Sequence, residues 1–156
     1  HGFIHADGAH LFVNMIVLFF FGGVMERVLT DRIGALGFLG FYLAAIVVAM
    51  VPTHLRQRHS VRFRSLGASG AVAAALFAYI LLAPWSTLLV MFIPMPAIVF
   101  AVAYVGYSVW ADRHAGDNIN HGAHLAGAAW GVLFMLALEP RLLARFVDRL
   151  LSPPWL

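Results

Sequence analysis

The chain has 156 residues, of which 62% are hydrophobic and 11% charged, and its formal net charge is +3. Soluble domains are nearer half apolar and a quarter charged, so a soluble globular protein is excluded and a polytopic helical membrane protein is read in its place. Cysteine is absent, which removes disulfides, thiolate metal sites and a cysteine nucleophile; all ten basic residues are arginines flanking apolar runs, where lipid headgroups rather than nucleic acid are the partner.

Five apolar runs, at roughly 8–25, 33–52, 67–83, 94–111 and 121–138, approach the 17–25 residues a helix needs to cross a bilayer. Backbone polar groups cannot stay unpaired in lipid, so the runs are helices. The first carries His10-x-x-x-Asn14, whose spacing puts both side chains on one helix face. Glu26-Arg27 and Asp31-Arg32 then read as a solvated or interhelical ion-pair loop before the second run.

The third run is short, lying between Arg62, Arg64 and Ser65 on one side and Pro84 on the other. It opens on Gly67-Ala68-Ser69-Gly70, which is expected to enter the membrane as irregular backbone facing a cavity. Ser69 has two readings, a glycine-flanked nucleophile or a helix N-cap. Trp85–Pro94 reads as an interfacial loop leading into the fourth run. The fifth carries Ala123-His124-x-x-Gly127-x-x-x-Gly131, a small-residue stripe beneath a histidine. Such glycines permit close helix approach, and the matching partner is the third run with Gly67, Ala68, Gly70, Ala71, Ala74 and Ala75. From 140 to 156, Arg141, Arg145 and Arg149 repeat every four residues beside Leu142, Leu143, Phe146, Val147, Leu150 and Leu151. That pattern predicts an amphipathic interfacial tail.

Alternate spans run in the same direction, so the N-terminal ends of the first, third and fifth open on one face. All eight histidines, His1, His5, His10, His54, His59, His114, His121 and His124, fall on that face, with Asp7, Asn14, Asp117, Asn118 and Asn120. The asymmetry predicts a hydrated vestibule there. Loop charge does not orient the chain: Arg56, Arg58, Arg62, Arg64 and Arg113 on the motif face balance Arg27, Arg32, Arg141, Arg145 and Arg149 on the other. His1, His5 and His10 raise the question of a metal, but no His-Glu-x-x-His string accompanies them.

Taken together, His10-x-x-x-Asn14, Gly67-Ala68-Ser69-Gly70 and Ala123-His124-x-x-Gly127-x-x-x-Gly131 resemble the rhomboid family of intramembrane serine proteases. Lesser features agree: His5 lies five residues before His10, Gly22-Gly23-x-x-Glu26 closes the first span, and Asn120-x-Gly122-Ala123 leads into His124. The resemblance runs from His1 to about Glu139. It implies an all-α bundle with five of six core transmembrane helices present, the first helix and its following loop lying upstream of His1. Residues 1–139 are then an N-terminally incomplete peptidase domain and residues 140–156 the tail.

The resemblance further implies a dyad of Ser69 as nucleophile and His124 as general base. The oxyanion hole would comprise His10, Asn14 and the Ser69 backbone amide. No metal and no organic cofactor are implied. The partners are transmembrane or membrane-anchored protein substrates and membrane lipid, and the location is a plasma (inner) membrane with the site opening to the extracytoplasmic face. A rhomboid-like protein that binds membrane helices without cutting them is the alternative. One position departs from the family: Ala73, four residues after the serine, stands where many relatives carry an aromatic that stacks on the histidine. Asn118, Asn120 and His121 are the residues left to hold the His124 ring.

Overall fold

The computed structural model describes residues 8–57, 68–114 and 119–154. His1, His5, Asp7, Arg58, His59, Arg62, Arg64, Ser65, Gly67, Asp117 and Asn118 lie outside them. The fold is the expected polytopic helical bundle, and each of the five predicted spans contains a helix, the fourth beginning three residues later than expected.

Helix α1 (Gly8–Val17) passes through one π turn (Leu18–Gly22) into α2 (Gly23–Ile33) without a break. The loop in that prediction is therefore corrected, since Glu26, Arg27, Asp31 and Arg32 are helical, while a long-range ion pair does form at Arg32. Arg32 pairs with Glu139 at 2.5 Å, and Arg145 reaches the same carboxylate at 2.9 Å. The helix stops at Gly34, whose φ of +89° is open to a residue without Cβ, and whose N–H bonds the Thr30 carbonyl at 3.0 Å. Helix α3 (Gly37–Gln57) follows, with Pro52 inside its last turns.

Helix α4 (Ser69–Leu82) is short and central. Every residue from Gly70 to Ala78 is buried, as expected for a helix apolar on all sides. At 1.5 Å per residue its 14 residues span about 21 Å, less than the roughly 30 Å hydrocarbon core. Gly70 lies within the helix, so the entry is regular from Ser69 onward and the expected irregular backbone is corrected there. After α4 comes a hairpin, β1 (Thr87–Val90) and β2 (Ile93–Pro96), antiparallel with Val90 opposite Ile93. This replaces the predicted interfacial loop. Helix α5 (Ala97–His114) and helix α6 (His121–Leu138) run antiparallel, and α7 (Arg141–Leu151) closes the chain.

Among the described residues three helical stretches are long and apolar enough to span by length and composition: His10–Ile33, Gly37–Arg56 and His121–Leu138. Helix α5 matches them in length but ends on the polar turn Asp112-Arg113-His114. Two apolar layers flank α4. One joins Met25, Leu29, Phe41, Ala45 and Met135 to its alanine face and reaches Leu142 of α7; the other joins Leu76, Phe77 and Ile80 to Leu88, Ala97 and Ala101.

Helices α4 and α6 meet backbone to backbone, as the glycine stripe predicts. A Cβ on Gly127 would overlap the Gly70 carbonyl, and one on Gly131 the Ala74 carbonyl. A Cβ on Gly70 would stand 3.0 Å from the Ala123 carbonyl oxygen. Both contacts advance by four residues on both helices, so α4 and α6 run parallel and their N-termini share one end of the bundle.

Candidate active site

The start of α6 is held by Asn120, which precedes its first turn. Its Oδ1 accepts from the Ala123 N–H at 3.0 Å, an N-cap that satisfies one orphan donor. Its Nδ2 donates to Thr53 Oγ1 at 2.7 Å, tying α6 to the turn of α3 that follows Pro52. Beside this contact Arg56 pairs with Asp112 at 2.5 Å, joining α3 to α5. Gly122 leaves room for the pair, since a Cβ there would stand 3.1 Å from Asp112 Oδ1.

One turn into α6, His124 Nε2 lies 2.7 Å from Ser69 Oγ. Ser69 is the first residue of α4, and Ala68 occupies the cap position, so the N-cap reading of this serine is set aside. With the hydroxyl donating, Nε2 is the acceptor and the ring proton sits on Nδ1. The close contacts deeper in the bundle explain the meeting. Where Gly127 meets Gly70 and Gly131 meets Ala74, no bulky side chain separates the two helices, and their first turns are brought within hydrogen-bonding range.

Helix α1 packs on α4. Asn14 is only 7% exposed, and its Nδ2 is buried with no acceptor among the described residues. Native proteins leave few such donors unpaired, and each calls for a reason. His10, one turn earlier on α1, is half-buried. Among the described residues no group of three or more His, Asp or Glu side chains is placed to hold a metal ion.

The ring contact on His124 comes from a residue not singled out in the sequence. Tyr104 of α5 lies near-parallel to the imidazole, with centroids 6.2 Å apart and planes inclined by 19°. Tyr107 meets His121 edge-on at 5.5 Å, and His121 meets His124 edge-on at 6.1 Å. Of the three residues expected to hold the ring, His121 touches it, Asn120 caps the helix beneath it, and Asn118 lies outside the described residues. The missed signal is a matched spacing. Tyr104-x-x-Tyr107 lies midway along one helix and His121-x-x-His124 begins the next, and an antiparallel pair sets them face to face.

These features define a helical membrane protein whose serine and histidine are paired at the common N-terminal end of two parallel helices. The Rhomboid domain family matches residues 1–141, and the chain belongs to the rhomboid family. It is 37% identical over 139 residues to RHOMBOID-like protein 12, mitochondrial, of Arabidopsis thaliana, covering 81% of this chain and 41% of that protein. It is 30% identical to the human presenilin-associated rhomboid-like protein, mitochondrial, covering 85% of this chain and 35% of the other. Rhomboid protein 1, mitochondrial, of Saccharomyces cerevisiae is also 30% identical, with 85% and 38% covered. The chain thus spans less than half the length of these curated relatives. No solved structure is detectably similar.

The relatives are mitochondrial by name, and this overturns the expected plasma-membrane location. The physical reason is plain: hydropathy reads a bilayer but not which bilayer, and the arginine balance carried no orientation either.

Proposed function

We propose that this chain carries the site of an intramembrane serine endopeptidase acting on transmembrane or membrane-anchored proteins, in a mitochondrial membrane as its relatives are. The observation that carries the reading is the 2.7 Å contact between Ser69 Oγ and His124 Nε2. A serine hydroxyl is a weak nucleophile until an adjacent base takes its proton, and a hydroxyl donating to Nε2 is poised for that transfer.

Ser69 Oγ attacks the scissile carbonyl carbon as its proton passes to His124 Nε2, and the carbonyl oxygen becomes an oxyanion. The Ser69 amide, at the first position of α4, has no partner inside the helix and faces developing negative charge with the positive end of the helix dipole. The Asn14 amide and the His10 ring are the other donors. Asn14 Nδ2, buried without an acceptor, is explained if its acceptor is the oxyanion that forms during the reaction. His124 then gives the proton to the leaving amine, and water, activated by the same ring, hydrolyses the acyl-serine. Neither a metal nor an organic cofactor is needed in this sequence of steps.

The test is fluorophosphonate labelling of the full-length protein in proteoliposomes, alongside cleavage of a transmembrane reporter. Wild type is expected to label at Ser69 and to cut. Ser69→Ala should abolish labelling, and His124→Ala should lower turnover by about ten-thousand-fold or more. Labelling that persists in both variants would refute the dyad. A wild-type protein that retains the reporter uncut and unlabelled would instead be a membrane-helix binder.

A further inference from the structure

We propose that Tyr104 is the positioning residue for the His124 imidazole, so that the plane of the base is set for catalysis by a ring on helix α5. The inference deepens the hydrolase reading and rests on it.

A dyad without a carboxylate leaves the histidine ring with no anionic partner to fix its plane, and ring angle decides whether Nε2 points at the hydroxyl. On α4 the side chain one turn after Ser69 is Ala73, which offers no surface to an imidazole. The flat contact comes from across the bundle, where Tyr104 lies within 19° of the His124 plane at 6.2 Å, inside the range of offset aromatic stacking. Tyr104 is itself braced on two sides, by Phe77 of α4 at 5.5 Å and by Phe100 one turn earlier on α5 at 5.5 Å. A ring so held has little freedom to tilt, and it passes that restraint to the imidazole. Tyr107 and His121 repeat the contact one turn nearer the helix ends, so two tyrosines of α5 face two histidines of α6. The Tyr104 hydroxyl is not needed for this role; the ring face alone does the positioning.

The experiment compares wild type, Tyr104→Phe, Tyr104→Leu and Tyr104→Met in the full-length protein, by reporter cleavage, fluorophosphonate reaction rate and thermal unfolding. Tyr104→Phe is expected to keep wild-type turnover. Tyr104→Leu and Tyr104→Met should lower kcat of the folded protein about tenfold, the upper end of what an aromatic pair contributes, with KM within about twofold, and should lower the unfolding midpoint as the contacts to Phe77 and Phe100 are lost. The fluorophosphonate rate should fall by the same factor while the final extent of labelling stays complete. Three results would overturn the inference: ringless variants as fast as wild type in their folded fraction, a loss confined to KM, or a folded Tyr104→Phe protein that loses turnover. A wild-type protein that neither labels nor cuts is a different outcome, one that removes the dyad itself.

Discussion

Asn14 carries an amide whose two hydrogens are buried in a helical bundle, and an unpaired buried donor costs about 1–3 kcal/mol. If that cost is retained for an oxyanion, Asn14→Ala should lower kcat by about 10²–10³-fold with little change in KM. The same substitution should leave the thermal midpoint unchanged or slightly raised, because it deletes an unsatisfied group. A large loss of stability with turnover intact in the folded fraction would instead make Asn14 a structural contact. His10 and Asn14 were legible as a pair, since a four-residue spacing fixes a shared face whatever surrounds the helix. Tyr104 was not legible by itself, because a tyrosine within an apolar helix is common. Only its distance to a ring on another helix distinguishes it.

At the scale of elements, the hairpin between α4 and α5 is the clearest departure from expectation. Its two-residue turn places Met91 at φ +51° and Phe92 at φ +68°, left-handed values that normally call for Asn-Gly. The two side chains are 85% and 96% exposed. Met91→Asn with Phe92→Gly should therefore stabilise the turn, by up to about 1–2 kcal/mol per position, read as a raised unfolding midpoint in detergent. An unchanged or lowered midpoint would show that the apolar tip contributes more through its surroundings than its backbone costs. The segment was unreadable as a hairpin because its strands contain Pro94 and Pro96 and its turn lacks the expected residues. The first helix misled in the opposite way. Its charged end at Glu26–Arg32 suggests a loop, yet the helix continues because Arg32 finds its partner on Glu139, 107 positions away.

At the scale of the whole molecule, the proposed site and the stability of the bundle share one contact plane, the face between α4 and α6. Gly127→Ala or Gly131→Ala drives a methyl into a backbone carbonyl, which cannot rotate away as a side chain would. Each should cost at least about 1–3 kcal/mol, and because His124 rides on α6, each should also slow labelling of Ser69. Gly106→Ala is the matched control. A Cβ there meets nothing within 4 Å, and removing a helix-interior glycine should stabilise by about 0.5–1 kcal/mol with labelling intact. Stability rising equally in all three would mean that glycine acts through helix propensity and not through close approach.

By itself the sequence determined that this is a helical membrane protein of five apolar segments, and which ends of which segments carry the polar chemistry. Those properties are local: hydropathy, i to i+4 spacing and the alternation of direction each depend only on neighbours along the chain. The parallel approach of α4 and α6 was also foreseeable, because glycine spacing on one helix and small residues on the other prescribe their fit. Tertiary structure alone decided what holds the His124 ring, where Arg32 pairs, and that an apolar connection folds into a strained hairpin. Each of these is settled by contacts between residues far apart in sequence, whose energies no single segment encodes.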